Sequence, residues 1–265
     1  MRLPRSLFTL LNIYALLLAV IMIWPVAQLI LSSVTSDLTF PPRYFSTDAF
    51  NNIFWPAYFQ AMSVSLRMGF WSTIVLILIC LPAAYALERR RFPGRSWLSA
   101  LIFVPAVFPT ITYAIAIGVY LALYMNDLRG SFAVIVVATA TGAIPLVVRT
   151  IQGSLATSDP VYEEAALVMG ASPIRTFFKI TLPLIAPGVI TAGTIAFTFA
   201  ATNFTIPWLM SAREAPVAVY IYRDVGRTGF TQQLAIQVLV MQAIVLGIVQ
   251  VLFFVFRKQM RGVFA

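Results

Sequence analysis

Apolar residues in this chain come in runs longer than the helices or strands of a water-soluble fold require. Intervals free of charged residues cover 6–36, 68–87, 96–126, 130–148, 180–212 and 228–256, and each is predominantly apolar. A helix rises about 1.5 Å per residue, so about 20 residues cross the roughly 30 Å hydrocarbon core of a bilayer. Each interval therefore holds one spanning helix, and six are predicted, over about 7–31, 66–87, 97–124, 131–150, 184–210 and 232–256. A further uncharged stretch, 49–66, contains Asn51, Asn52, Trp55, Pro56, Tyr58 and Gln60. Its polarity predicts an interfacial or external loop. The fold class that follows is all-α and integral to a membrane, a single transmembrane domain over 1–265.

Composition sharpens this. Hydrophobic residues make up 60% and charged residues only 10%, with a mean hydropathy of +0.90. A soluble domain carries about 25% charged residues, and disorder needs low hydrophobicity with high charge. Neither description fits. The net charge of +9 is spread over small clusters between apolar runs, the distribution of cytoplasmic membrane loops and not of a nucleic-acid stripe. An inside N-terminus puts Arg2, Arg5, Arg89, Arg90, Arg91, Arg95, Arg149, Arg175, Lys179, Arg257, Lys258 and Arg261 in the cytoplasm, twelve in all. It leaves Arg43, Arg129, Arg213, Arg223 and Arg227 outside, five in all, with Arg67 at a helix end. Both termini are therefore expected inside. The run from Leu7 to Leu31 is about twice a signal-peptide core and no A-x-A site follows it, so it reads as a first span.

Several chemistries are excluded by what is missing. The nine Asp and Glu residues sit at 37, 48, 88, 127, 159, 163, 164, 214 and 224, all in loops or at span ends. Ion-coupled transporters need carboxylates at membrane depth, and no span is a basic voltage sensor. No Gly-Lys pair exists, so the chain has no phosphate loop of its own. With one cysteine, Cys80, and no histidine, it offers neither an intrachain disulfide nor a zinc site. No acid, base or nucleophile constellation is present, so no catalytic residue and no metal or cofactor of its own is expected. What remains is a passive channel (or a membrane scaffold with a partner-binding loop) or the membrane half of an ATP-driven assembly, with an intramembrane enzyme or assembly factor as a third class.

The loop over 155–183 carries helix start and stop signals at close intervals. Asp159 is an N-cap and Pro160 fits the first helical position; Glu163 and Glu164 lie in the first turns, where the helix dipole favours anions; Gly170 supplies a left-handed stop. These predict a helix over 160–169 with an apolar stripe of Val161, Ala165 and Val168. Ser172 and Pro173 repeat the start, Ile174, Phe177 and Phe178 offer a second apolar face, and Pro183 and Pro187 mark a bend into the fifth span. The result is a helical corner showing Ala165 and Ala166 on its surface. An amphipathic helix resting on lipid has the same local signals.

Spacing separates those readings. Glu164, Ala165, Ala166, Gly170, Ile180, Leu182 and Pro183 form E-A-A-x3-G-x9-I-x-L-P. This resembles the signature loop of bacterial ABC importer permeases at every defined position. "LPAAYALERRRFPGR" and "IPLVVRTIQGSLATSDPVYEEAALVMGAS" resemble the same family, while "LTFPPRYFSTDAFNNIF" and "APVAVYIYRDVG" look most like its spermidine/putrescine branch. The resemblance implies the type I importer architecture, with two permease chains pairing, identical or different. It also implies a cytoplasmic ATPase dimer that binds ATP and magnesium, and a solute-binding protein delivering from above. Carried over, Glu164, Ala165, Ala166 and Gly170 are coupling contacts and Glu163 faces basic groups of the ATPase. Ile180, Leu182 and Pro183 secure the loop to the fifth span, which acts as a lever.

Polar residues within spans should turn toward a pathway or toward neighbouring helices. Candidates are Thr110, Thr112 and Tyr113, then Thr139 and Thr141, then Thr198, Thr202, Asn203 and Thr205, with Thr198, Thr202 and Thr205 at i, i+4, i+7. Polyamine-type permeases tend to carry an acidic residue where this chain has Asn203. The solute expectation therefore extends from a polyamine to an opine, an amino-acid derivative or an organophosphonate.

Overall fold

A computed structural model describes residues 5–35, 44–52, 56–210 and 214–256. Arg2, Arg43, Trp55, Arg213, Arg257, Lys258 and Arg261, all used above, lie outside the described residues. Among those described, the regular structure is helical apart from one isolated bridge, Thr35 to Phe45. The helices are α1 (Arg5–Ser33), α2 (Pro56–Arg89), α3 (Arg95–Val107), α4 (Thr110–Tyr124), α5 (Phe132–Thr157), α6 (Val161–Val168), α7 (Pro173–Thr176), α8 (Leu182–Ala201), α9 (Thr205–Met210), α10 (Val217–Thr228) and α11 (Gln232–Val255). A π-helical turn, Phe177–Thr181, joins α7 to α8. By length and composition five helices can cross a membrane, or six when the bent pair α3 and α4 counts as one span.

The chain divides into two compact units. One comprises 1–58 and 221–243, the other 59–220 and 244–265. In the smaller unit the end of α1 is tied down by polar contacts. Gln232 Nε2 donates to the carbonyls of Ser33 and Ser46 at 3.1 and 2.5 Å, and Tyr58 Oη donates to the Gln237 carbonyl at 2.7 Å.

In the larger unit, α5 packs on α8 along small residues. Ala140, Ala143, Val147 and Ile151 face Ile185, Ala192 and Ala196, and Leu76, Cys80, Ala84 and Leu87 of α2 close the third side. In lipid there is no hydrophobic drive between helices, so close backbone approach has to supply the association. Gly188 marks the tightest point, because a Cβ there would collide with Ser154 Cβ and Oγ. A second cluster joins Met68 of α2, Ala114 and Leu121 of α4, Ile135 and Val136 of α5, and Ile206 and Met210 of α9.

Four expectations change. The polar stretch before the second span is helical from Pro56 onward. Its polar groups do not prevent this because they are bonded: Ser65 Oγ accepts from Val217 N at 2.9 Å and Ser63 Oγ donates to Gln60 O at 2.8 Å. The third span is broken, α3 and α4 meeting at 97°. Pro109 pushes Phe108 into extended backbone, ψ 137°, and a helix cannot pass. The fifth span ends at Ala201, where Pro207 lacks the N–H that would reach Asn203 O, and Asn203 Oδ1 instead accepts from Ile206 N at 3.2 Å. The helical register linking Thr198, Thr202 and Thr205 is therefore interrupted. Pro183 and Pro187 do not break the helix: Pro173–Ala201 is one helical run of 29 residues. The π turn, in which Leu182 N donates to Phe177 O, widens the ladder just ahead of Pro183 and absorbs its missing donor.

Candidate functional site

The connection between α5 and α8 is built as its caps dictate. Asp159 Oδ1 accepts from Val161 N at 3.0 Å, and Pro160 O takes the amides of Glu163 and Glu164 at 2.9 and 3.0 Å. Gly170 adopts φ +88°, with Ala171 N donating to Ala166 O and Gly170 N to Leu167 O, both at 3.0 Å. That pair of bonds is a Schellman stop, which a residue with a Cβ makes only with strain. Ser172 Oγ then accepts from Arg175 N at 3.4 Å and starts α7. The second short helix is thus the first turn of the long run that becomes α8.

Which face α6 buries was not legible from its stripe. Glu163 and Ala166, three residues apart, turn inward at 7% and 3% exposure. Glu164, Ala165 and the predicted stripe of Val161, Ala165 and Val168 turn outward, along with Tyr162, Leu167 and Met169. Val168 and Met169 are 88% and 80% exposed, which leaves a projecting apolar ridge. Ala166 is therefore not a surface residue. Ile180 and Leu182 are half-buried and Pro183 is exposed, at the root of α8.

Glu163 does not face outward either. Its carboxylate accepts from Arg89 Nε and from Tyr85 Oη, each at 3.0 Å. Arg89 Nη2 also donates to Ser158 O at 2.8 Å and Ser158 Oγ at 2.6 Å. Tyr85 packs edge-on to Phe177, ring centroids 5.1 Å apart. Tyr85 and Arg89, four residues apart on the last turns of α2, therefore hold the end of α5, the first turn of α6 and the π turn together. The ion pair is nearly dry, with side chains 11% and 9% exposed. Sequence reasoning missed Tyr85, Arg89 and Ser158; the signal was the i, i+4 pair inside "YALER" at a helix end.

The polar residues proposed for a pathway are not gathered in one lining. Thr139 is fully buried in α5, and its hydroxyl has no hydrogen-bond partner among the described residues. Tyr113 Oη occupies the space beside Gly142. Thr110 and Thr205 begin α4 and α9, Thr202 is exposed and donates to Thr198 O at 2.8 Å, and Asn203 caps α9. Thr112 is exposed, and Thr141 donates back to Val137 O at 3.0 Å. A cavity of about 320 Å³ lies elsewhere, beside the N-terminus of α5, lined by Arg67, Glu214 and Phe132 among others. There Arg67 pairs with Glu214 at 3.0 Å and sits 5.5 Å from the Phe132 ring centre.

Residues 76–259 match the sequence profile of a family described as binding-protein-dependent transport system inner membrane component. The chain belongs to this family. Its matched region contains every residue of the loop just described. The sulfate transport system permease protein CysT of Salmonella typhimurium is 34% identical over 153 residues, covering 54% of this chain and 55% of the relative. The chain thus spans about half the length of that relative. The molybdenum transport system permease protein ModB of Haemophilus influenzae is 32% identical over 179 residues, 61% of this chain and 76% of the relative. Among solved structures, a bacterial alginate ABC transporter in complex with an alginate pentasaccharide-bound periplasmic protein superimposes with a TM-score of 0.76. It is 16% identical and covers 98% of this chain and 99% of that one. At that identity the likeness establishes the fold, that of a type I importer permease. The inner-membrane family and the apolar helices make the protein a multi-pass inner-membrane component of a transport system.

Proposed function

We propose that this permease couples to a cytoplasmic ATPase through α6, and that it forms half of an import pathway for a small polar solute. The observation that carries the reading is the division of α6 into two faces. Glu163 and Ala166 bind it to its own chain, while Glu164, Ala165, Val168 and Met169 are presented outward on a helix with a fixed end at Gly170. A helix so held transmits a push in two directions. One is along the continuous run Pro173–Ala201, entered through Ile180, Leu182 and Pro183; the other is into α2 through Arg89. ATP and magnesium belong to the partner ATPase. A second permease chain and a solute-binding protein complete the assembly, with both termini of this chain in the cytoplasm.

For the solute, the spans carry no carboxylate, and the relatives above are named for sulfate and molybdenum. Both favour an anionic or uncharged polar solute over a polyamine. Thr139, Tyr113 and Thr198 remain the pathway candidates, with Thr110, Thr202, Asn203 and Thr205 at the helix breaks.

The test is co-purification from native membranes in mild detergent, with Ala165→Arg and Gly170→Pro beside the wild type. Ala165 is exposed, so Arg blocks docking without disturbing the fold. Both variants should lose the ATPase retained by the wild type. Retention in both variants, or no ATPase with the wild type, sinks the coupling reading and returns the loop to a passive channel or scaffold.

A further inference from the structure

At the end of α2 beside the coupling loop, a groove of about 260 Å³ opens on the surface, lined by Pro82, Tyr85, Arg90, Ile174, Phe177 and Phe178. Its walls are apolar and aromatic and its one charged wall residue is Arg90. Arg89, one residue earlier, is committed to Glu163 and Ser158. Arg90 is exposed and, among the described residues, pairs with no carboxylate. Arg90 follows directly on Arg89, the last residue of α2. The flanking Arg91, Arg175 and Lys179 are exposed cations as well.

The groove also has a direction. From Arg90 to Pro82 is eight residues, about 12 Å along the helix axis, running from the charged end of α2 into its membrane-spanning part. Beyond Pro82 the surface continues as Leu78 and Ile79, 69% and 56% exposed. Ile174 and Phe178 form the opposite wall at 73% and 61% exposure. Pro82, Leu78 and Ile79 belong to the apolar run of a candidate span, where lipid is the solvent, and a lipid has the matching chemistry: an anionic headgroup at Arg90 and an acyl chain along Pro82 and Phe178. Basic pockets at the membrane edge between spanning helices take anionic headgroups.

We infer that this groove is a binding site for one anionic phospholipid, its phosphate on Arg90 and its chain between α2 and the α7 end of the lever. A lipid there touches both Phe177, which packs on Tyr85, and Phe178 beside it, and so bears on the clamp that holds α6. The inference rests on α2 spanning the membrane and does not require the ATPase reading.

The experiment uses the full chain, purified and stripped of lipid in detergent. It is titrated with dioleoylphosphatidylglycerol or dioleoylphosphatidylcholine and read by native mass spectrometry. The wild type should retain one phosphatidylglycerol about fivefold more tightly than phosphatidylcholine. Arg90→Gln should abolish that preference and Arg91→Gln should keep it, with the melting temperature of both unchanged. Equal retention of the two lipids by the wild type overturns the proposal. So does equal loss in the two variants, which would mean diffuse surface charge. Displacement of the lipid when the ATPase complex assembles would assign the groove to that protein instead.

Discussion

A carboxylate withdrawn from water is costly unless its lone pairs are filled, and Glu163 is filled from one helix, by Arg89 Nε and Tyr85 Oη at 3.0 Å each. Removing one member therefore does more harm than removing both. Arg89→Gln leaves Glu163 buried without a cation and should cost about 3–5 kcal/mol in thermal or denaturant unfolding in detergent. Glu163→Gln keeps an acceptor for Tyr85 and should cost less than Arg89→Gln. The double variant Arg89→Leu with Glu163→Leu should recover most of the loss, because no unpaired charge remains. A neutral Arg89→Gln would mean that the pair does not hold α6. None of this was readable from spacing alone: 74 residues separate Arg89 from Glu163. Glu163 therefore seemed as free to face a partner as Glu164 does.

Between helices, the decisive contact is the crossing of α5 and α8. Gly188 lets Ser154 approach so closely that even a methyl group has no room. Gly188→Ala should destabilise by about 1–3 kcal/mol through overpacking, and adding Ser154→Gly should restore stability. Failure of the second change to rescue the first would place the cost elsewhere in the helix. The breaks at Phe108–Pro109 and at Thr202–Phe204 belong to this scale as well. Both prolines were visible in the sequence. Charge-free length alone nevertheless joined residues 97–124 and 184–210 into single spans, because hydropathy carries no information about backbone donors.

Seen whole, the molecule places its charged loops at two levels. α5 runs 26 residues, about 39 Å, long enough to put the turn at Asn126–Leu128 and the loop at α6 on opposite sides of a bilayer. In a Cys80→Ala background, Val168→Cys should react with a membrane-impermeant maleimide only in inside-out vesicles, and Asn126→Cys only in right-side-out ones. The opposite pattern would invert the orientation drawn from the basic residues. The exposed apolar surface of α1, from Leu10 at 63% to Met22 at 77%, is that of a helix whose solvent is lipid.

Sequence by itself determined what depends on neighbours along the chain. The membrane class and the approximate places of the apolar helices follow from uncharged length, the α6 boundaries from Asp159, Pro160 and Gly170, and the family resemblance from seven residues at set spacing. Tertiary structure decided everything that depends on which side of a helix meets which other helix. It turned Glu163 and Ala166 inward and Ala165 outward, brought Arg89 and Tyr85 under the loop, and left Thr139 buried, apart from the exposed Thr202. The physical reason is that caps, turns and hydrocarbon thickness act within a few residues or on total length. An ion pair or a glycine crossing, by contrast, exists only once distant segments pack together.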